Sequence, residues 1–216
     1  MKVTIAAGNR HDLRRLIEER LKDSRPRADA SSAVPAGFSA EMDAAIRQYF
    51  PAAPVAAAVL VPLVDREEGL SVLLTQRASH LKNHAGQVSF PGGRIEAADE
   101  GPLAAALRET EEEIGLSRQH VTFAGYLEPH LVLTGFWVTP VVGFVQPGFE
   151  LQLDRSEVES TFEVPLLHIL DAANHQSRER TLGTTKVLVY DIPYGEHRIW
   201  GATAGMLISL YRLLHE

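Results

Sequence analysis

Six consecutive residues, Arg108-Glu109-Thr110-Glu111-Glu112-Glu113, hold the densest chemistry in the chain. Wound as an α-helix at roughly 100° per residue, they bring Glu109, Glu112 and Glu113 together on one side at i, i+3 and i+4. Carboxylates at that spacing repel one another by about 0.2–0.5 kcal/mol per pair, so a cation is expected among them. Hard oxygen donors clustered in this way suit Mg²⁺ or Mn²⁺, which keep several waters and bridge protein carboxylates to substrate phosphates. Arg108 precedes Glu112 by four residues and can hold that carboxylate through a charge-assisted hydrogen bond. Glu111 projects elsewhere and is expected to be solvated.

The helix that must carry these groups is bounded by its own punctuation. Gly101-Pro102 supplies a start with proline at the first helical position and Gly115 a left-handed stop, which predicts a helix over 102–114. Leu103, Leu107, Thr110 and Ile114 form the stripe expected to dock it on a sheet, with Glu109, Glu112 and Glu113 on the far side. A glycine turn, Pro91-Gly92-Gly93, comes before it. Further upstream Arg77, His80, Lys82 and His84 crowd into eight residues of an otherwise acidic chain, a candidate phosphate clamp. Taken singly, an acidic run or a basic loop is ordinarily a solvated surface; here they stand together at fixed offsets.

That combination resembles the Nudix box, the signature of the Nudix hydrolases: G, five residues, E, seven residues, then R-E-U-x-E-E-x-G-U, with U a bulky apolar residue. Glu100 is followed after seven residues by Arg108-Glu109-Thr110-Glu111-Glu112-Glu113-Ile114-Gly115-Leu116. The chain departs at Thr110, where the pattern has a bulky apolar residue. It departs again between Gly93 and Glu100, where six residues stand instead of five, which leaves either Asp99 or Glu100 for the first glutamate's part. Upstream, Leu73-Leu74-Thr75, Arg77-Ala78, Lys82, Gly86 and Phe90-Pro91-Gly92-Gly93 are similar to the signature of the coenzyme A pyrophosphatase subgroup. Lys82 replaces an arginine of that signature and cannot offer its planar fork. Later segments, Leu133 to Gly143 and Ile199 to Gly205, look like that subgroup too, so the resemblance runs from Val55 to Leu214.

The resemblance implies an α+β fold, a mixed β-sheet sandwiched between helices in α/β/α layers. It implies metal-dependent hydrolysis of the diphosphate of coenzyme A or an acyl-coenzyme A by water, giving 4'-phosphopantetheine and adenosine 3',5'-bisphosphate. Glu109, Glu112, Glu113 and the backbone of Gly92 would bind Mg²⁺ or Mn²⁺. Glu112, Glu113 and Arg108 would be catalytic, and Arg77, Lys82 and His84 would contact substrate. The general base stays open among a glutamate of the box, Glu157 and Glu159. Two other functions compete: a Nudix diphosphatase acting on ADP-ribose, dinucleotides or nucleoside triphosphates, and a non-catalytic regulator built on the same fold. The retained Arg108, Glu109, Glu112 and Glu113 argue against the regulator, which needs no cluster of metal-binding carboxylates.

Composition narrows the classes further. The 216 residues suit one globular domain, and 21 basic against 28 acidic residues give a net charge of −7, which repels nucleic acid and anionic membranes. The absence of cysteine excludes disulfides and thiolate sites and fits a reducing compartment. With no signal peptide in MKVTIAAGNRHD and no apolar run long enough to span a bilayer, a cytoplasmic protein is expected. A homodimer is compatible with this composition. Residues 1–40 are expected to be an amphipathic helix at 10–22 and a linker at 23–37, ahead of the hydrolase domain at 41–216. A second helix is expected over 39–49. Strands are expected at 56–64, 70–76, 121–127, 136–145 and 186–191, and helices at 166–172 and 202–214.

Overall fold

The computed structural model describes residues 10–27, 34–35, 49–50 and 52–215. Among these, nine strands form one mixed sheet: β1 (Val34–Pro35), β2 (Val55–Arg66), β3 (Gly69–Arg77), β4 (Val88–Ser89), β5 (Gly92–Arg94), β6 (Val121–Tyr126), β7 (His130–Leu131), β8 (Phe136–Val145) and β9 (Val158–Pro165). β2 is the spine. It pairs antiparallel with β3 across the expected turn, and parallel with β8 from Val55↔Phe136 to Val64↔Val145. Its first residues also pair antiparallel with β5, through Ala57↔Arg94, Ala58↔Gly93 and Val59↔Gly92. Its near-continuous apolar run marks a strand covered on both faces. Ala57, Val61 and Leu63 enter one core, and Ala58, Leu60 and Val64 the other.

Among the described residues four helices supply the outer layers: α1 (Arg10–Leu21), α2 (Pro102–Ile114), α3 (Leu166–Leu170) and α4 (Gly201–His215). α2 covers the Ala58 face with Ala105, Ala106 and Ile114. The opposite face takes Leu13, Ile17 and Leu21 of α1, Leu166 and Ile169 of α3, and Leu207 and Leu210 of α4. The result is the α/β/α layering expected of the sequence. Three more strands, β10 (Gln176–Leu182), β11 (Thr185–Tyr194) and β12 (His197–Trp200), form a separate antiparallel sheet next to α4.

Several expectations are corrected. The strand expected at 186–191 is the middle of a longer β11, paired on both sides. Its neighbour β10, QSRERTL, escapes sequence reading because six of its seven residues are exposed, so no apolar alternation marks it. The helix expected over 166–172 stops at Leu170, where the Asp171 side chain accepts from the Ala173 amide at 2.9 Å and turns the chain into a short 3₁₀ turn. The helix expected over 39–49 lies outside the described residues, save Tyr49, which sits in a turn. Among the described residues no helix is long and apolar enough to cross a membrane.

Candidate active site

α2 is bounded as its sequence dictates. Gly101, with φ 124°, is the N-cap, and Pro102 occupies the first turn, where no amide donor is needed. At the other end Gly115 takes the left-handed conformation, φ 70°, and its amide donates to the Glu111 carbonyl at 3.0 Å. Thr110, the departure from the Nudix pattern, is fully buried, and its hydroxyl donates to the Ala106 carbonyl at 2.6 Å. The helix thus satisfies its own odd polar group. The buried stripe is Ala105, Ala106, Thr110, Glu113 and Ile114, whereas Leu103 and Leu107 are only partly covered. Glu113 therefore faces the sheet with the apolar residues, which corrects its expected placement on the far side.

Arg108 organises the cluster. Its Nε and one terminal nitrogen grip both oxygens of Asp99 at 3.1 and 3.0 Å, and that same nitrogen reaches the Arg94 carbonyl at 3.0 Å. The other terminal nitrogen donates to Glu109 at 2.9 Å and to Glu112 at 3.0 Å. The Asp99 partner holds the guanidinium firmly charged, and Arg108 in turn keeps the Asp99 carboxyl below its ordinary range. Glu100 is exposed, so of the two acids competing for the first position of the box it is Asp99 that engages the arginine. Asp99 also accepts from the Glu96 amide at 2.8 Å, closing a turn in the loop ahead of the helix. Glu111 is not simply solvated: it binds the Arg118 side chain at 2.6 and 2.9 Å and the Arg118 amide at 2.8 Å, fastening the end of α2 to the next turn.

The remaining glutamates meet the glycine turn. The Gly92 amide donates to Glu113 at 3.1 Å, so Gly92 enters the site through its N–H. A methyl group on Gly93 would stand 2.6 Å from the Glu109 carboxylate, a closeness only glycine permits. Glu113 is 5% exposed; burial pushes its carboxyl up to about 8, with the nearby charges of Glu157 and Glu109 adding to the effect and Gly92 and Arg77 opposing it. Burial raises Glu109 as well, against the pull of Arg108. The charge of exposed Glu157 thus acts on both Glu109 and Glu113, whereas among the described residues no interaction ties Glu159 to them.

Of the expected cations, Arg77 is the one whose charge acts on Glu113. Half-buried at the end of β3, it lowers the proton affinity of Glu113, and its Nε is buried with no hydrogen-bond partner. Lys82 and His84 are exposed in the following loop, where the His84 ring turns back to Gln87 at 2.8 Å. The fit to a divalent cation rests on donor chemistry: three hard carboxylates at the end of one helix, two of them resisting ionisation, beside a glycine turn. Among the described residues no three acidic or histidine side chains form a ready-made cage, because Arg108 draws Glu109 and Glu112 to itself.

Residues 54–182, more than half of the chain, match the family model of the NUDIX domain. The chain belongs to the Nudix family, and it is a hydrolase of a pyrophosphate-containing substrate. Nudix hydrolases in general use divalent metal ions. A protein of Salmonella paratyphi B described as the uncharacterised Nudix hydrolase NudL is 41% identical over 154 residues, covering 71% of this chain and 80% of the relative. The NudL of Salmonella newport matches to the same extent. Among solved structures, the Nudix hydrolase RenU of M. smegmatis aligns over 54% of this chain and 73% of its own, at 22% identity and a TM-score of 0.46.

Proposed function

We propose that this chain hydrolyses the diphosphate of coenzyme A and its acyl derivatives, in the cytoplasm, with Mg²⁺ or Mn²⁺. What supports the reading is that buried Glu113 of the acidic helix accepts from the Gly92 amide of the glycine turn at 3.1 Å and feels the charge of Arg77, the first cation of the subgroup-like segment. The basic segment would thereby serve the substrate's phosphates beside the carboxylate cluster.

Glu109, Glu112 and Glu113 would hold the metal, and the Gly92 amide, which donates to Glu113 and so is not itself a ligand, would orient that carboxylate. When bound, the metal supplies charge neutralisation at the diphosphate oxygens, which otherwise repel a nucleophile. Arg108 keeps Glu109 and Glu112 in place and is itself fixed by Asp99. Arg77 would neutralise phosphate charge. Lys82 and His84 extend the clamp from the loop. Glu157, whose charge is felt by both Glu109 and Glu113, is the favoured acceptor of the water's proton. The hydrolase unit is taken as 41–216, with α1 of the preceding segment packed on it.

Comparative kcat/KM on coenzyme A, ADP-ribose, a dinucleotide and a nucleoside triphosphate tests the substrate. Coenzyme A is expected to lead by about tenfold or more, and chelation to abolish turnover. Preference for any of the others overturns the assignment.

A further inference from the structure

The outlying sheet carries charge that the catalytic cluster does not use. In the β10-β11-β12 register Gln176 stands opposite Asp191, which stands opposite Trp200; Arg178 opposes Val189, Arg180 opposes Val187, and Arg198 opposes Pro193. Side chains alternate along strands and directly paired residues share a face, so Arg178, Arg180, Asp191, Arg198 and Trp200 all occupy one face. Asp191 is 1% exposed and binds the Nε of both Arg178 and Arg198 at 2.8 Å. Each guanidinium is therefore held by its inner edge, and its two terminal nitrogens make no hydrogen bond among the described residues. Arg198 and Arg180 lie 5.5 and 6.0 Å from the centre of the Trp200 ring. The acid Glu179 points to the opposite face and pairs with Lys186 at 2.9 Å. Three arginines against one buried aspartate leave a local charge of about +2 on a chain whose net charge is −7.

The sheet adjoins the strand that leads into the glycine turn: β12, which carries Arg198 and Trp200, packs beside β4, and the Thr203 hydroxyl just after β12 donates to the Val88 carbonyl at 2.9 Å. Val187 and Val189 pack with Trp137, whose indole N–H is buried without a partner.

We propose that the Arg178–Arg180–Arg198–Trp200 face binds a phosphorylated nucleoside, and, resting on the function proposed above, that it receives the 3'-phosphoadenosine end of coenzyme A. Two pre-oriented forks match a phosphate monoester, which carries more charge than a diester and accepts paired donors. The indole offers a stacking surface for the base.

The test uses the full chain and a triple variant, Arg178→Gln/Arg198→Gln/Asp191→Asn, which removes the forks without stranding a buried carboxylate. Arg180→Gln, outside that ion network, is the second variant. Both tryptophans of the chain, Trp137 and Trp200, flank the face, so binding of adenosine 3',5'-bisphosphate is read by tryptophan fluorescence without turnover. The parent is expected to bind it, and adenosine more weakly. Affinity should fall about tenfold or more in the triple variant and several-fold in Arg180→Gln. The ratio of kcat/KM for coenzyme A over dephospho-coenzyme A should fall equally. A parent that binds the nucleotide but does not cleave coenzyme A would sink the proposed function and leave the site standing. Unchanged affinity in folded variants, no nucleotide binding by the parent, or tighter binding of a single-stranded oligonucleotide than of the nucleotide would each overturn the site.

Discussion

Glu113 is held by opposed forces: burial among apolar side chains penalises its charge, while the Gly92 amide and nearby Arg77 favour it. A glutamine there keeps the volume and an acceptor for Gly92 but sheds the penalised charge. Glu113→Gln and Glu112→Gln are accordingly expected to lower kcat by roughly two orders of magnitude or more. Glu113→Gln should melt at or above the parent temperature; parental turnover in both variants would reduce the cluster to a solvated acidic face. The competition between Asp99 and Glu100 is settled the same way. Asp99→Asn breaks a two-point grip on Arg108 and should cost about ten- to a hundredfold in kcat/KM, whereas Glu100→Gln should change it by less than about twofold. Steady-state kinetics in which Glu100→Gln is the damaging change would reverse that assignment.

At the level of elements, β5 and α2 make the site by lying too close for ordinary side chains. A methyl group on Gly93 meets the mobile end of Glu109, whereas one on Gly92, at φ 147°, meets the backbone of Ala58 and Val59. Gly93→Ala is thus expected to lose activity with a near-parental melting temperature. Gly92→Ala should lose on the order of 3 kcal/mol or more in stability, read by urea titration; equal destabilisation of the two would refute this division of roles. Much of this pair was legible in the sequence, because Gly101-Pro102 and Gly115 punctuate α2 and the spacing of its glutamates is geometric. The inward turn of Glu113 was not legible. Helical periodicity assigns a face from apolarity, and Leu103 and Leu107 outweighed the small Ala105 and Ala106 that lie against the sheet. The bond from Glu111 to Arg118 was equally hidden, since it depends on the path of the chain after Gly115. Arg178 lies on β10, whose exposure erases the alternation that sequence reading needs, and the bond of Asp191, at the end of an expected strand, to Arg178 and Arg198 depends on the register of the sheet.

Across the whole molecule, the core opposite α2 contains a titratable group with no part in the reaction. His130 of β7 is 1% exposed, its Nε2 lies 3.0 Å from the Ser209 hydroxyl, and its Nδ1 has no partner. Burial, helped by the charge of Arg212, lowers its pKa from 6.5 to about 4. Between those values the unfolded chain takes up a proton that the folded one refuses, so stability falls as pH drops below about 6.5 and stops falling near 4. At pH 5 the loss is on the order of 2 kcal/mol. Glu113 acts in the opposite sense, its raised pKa favouring the fold as pH falls below about 8. Comparison of the parent with His130→Gln at pH 7 and pH 5 isolates the histidine: the variant should lack the acid loss, and identical pH profiles would contradict it. The central claim concerns the covalent bond broken, and product masses test it most directly. Incubated with coenzyme A and Mg²⁺ or Mn²⁺, the protein is expected to yield 4'-phosphopantetheine and adenosine 3',5'-bisphosphate in equal amounts, and nothing once the metal is chelated. Release of inorganic phosphate with the diphosphate intact, or loss of the thiol arm, would contradict the account.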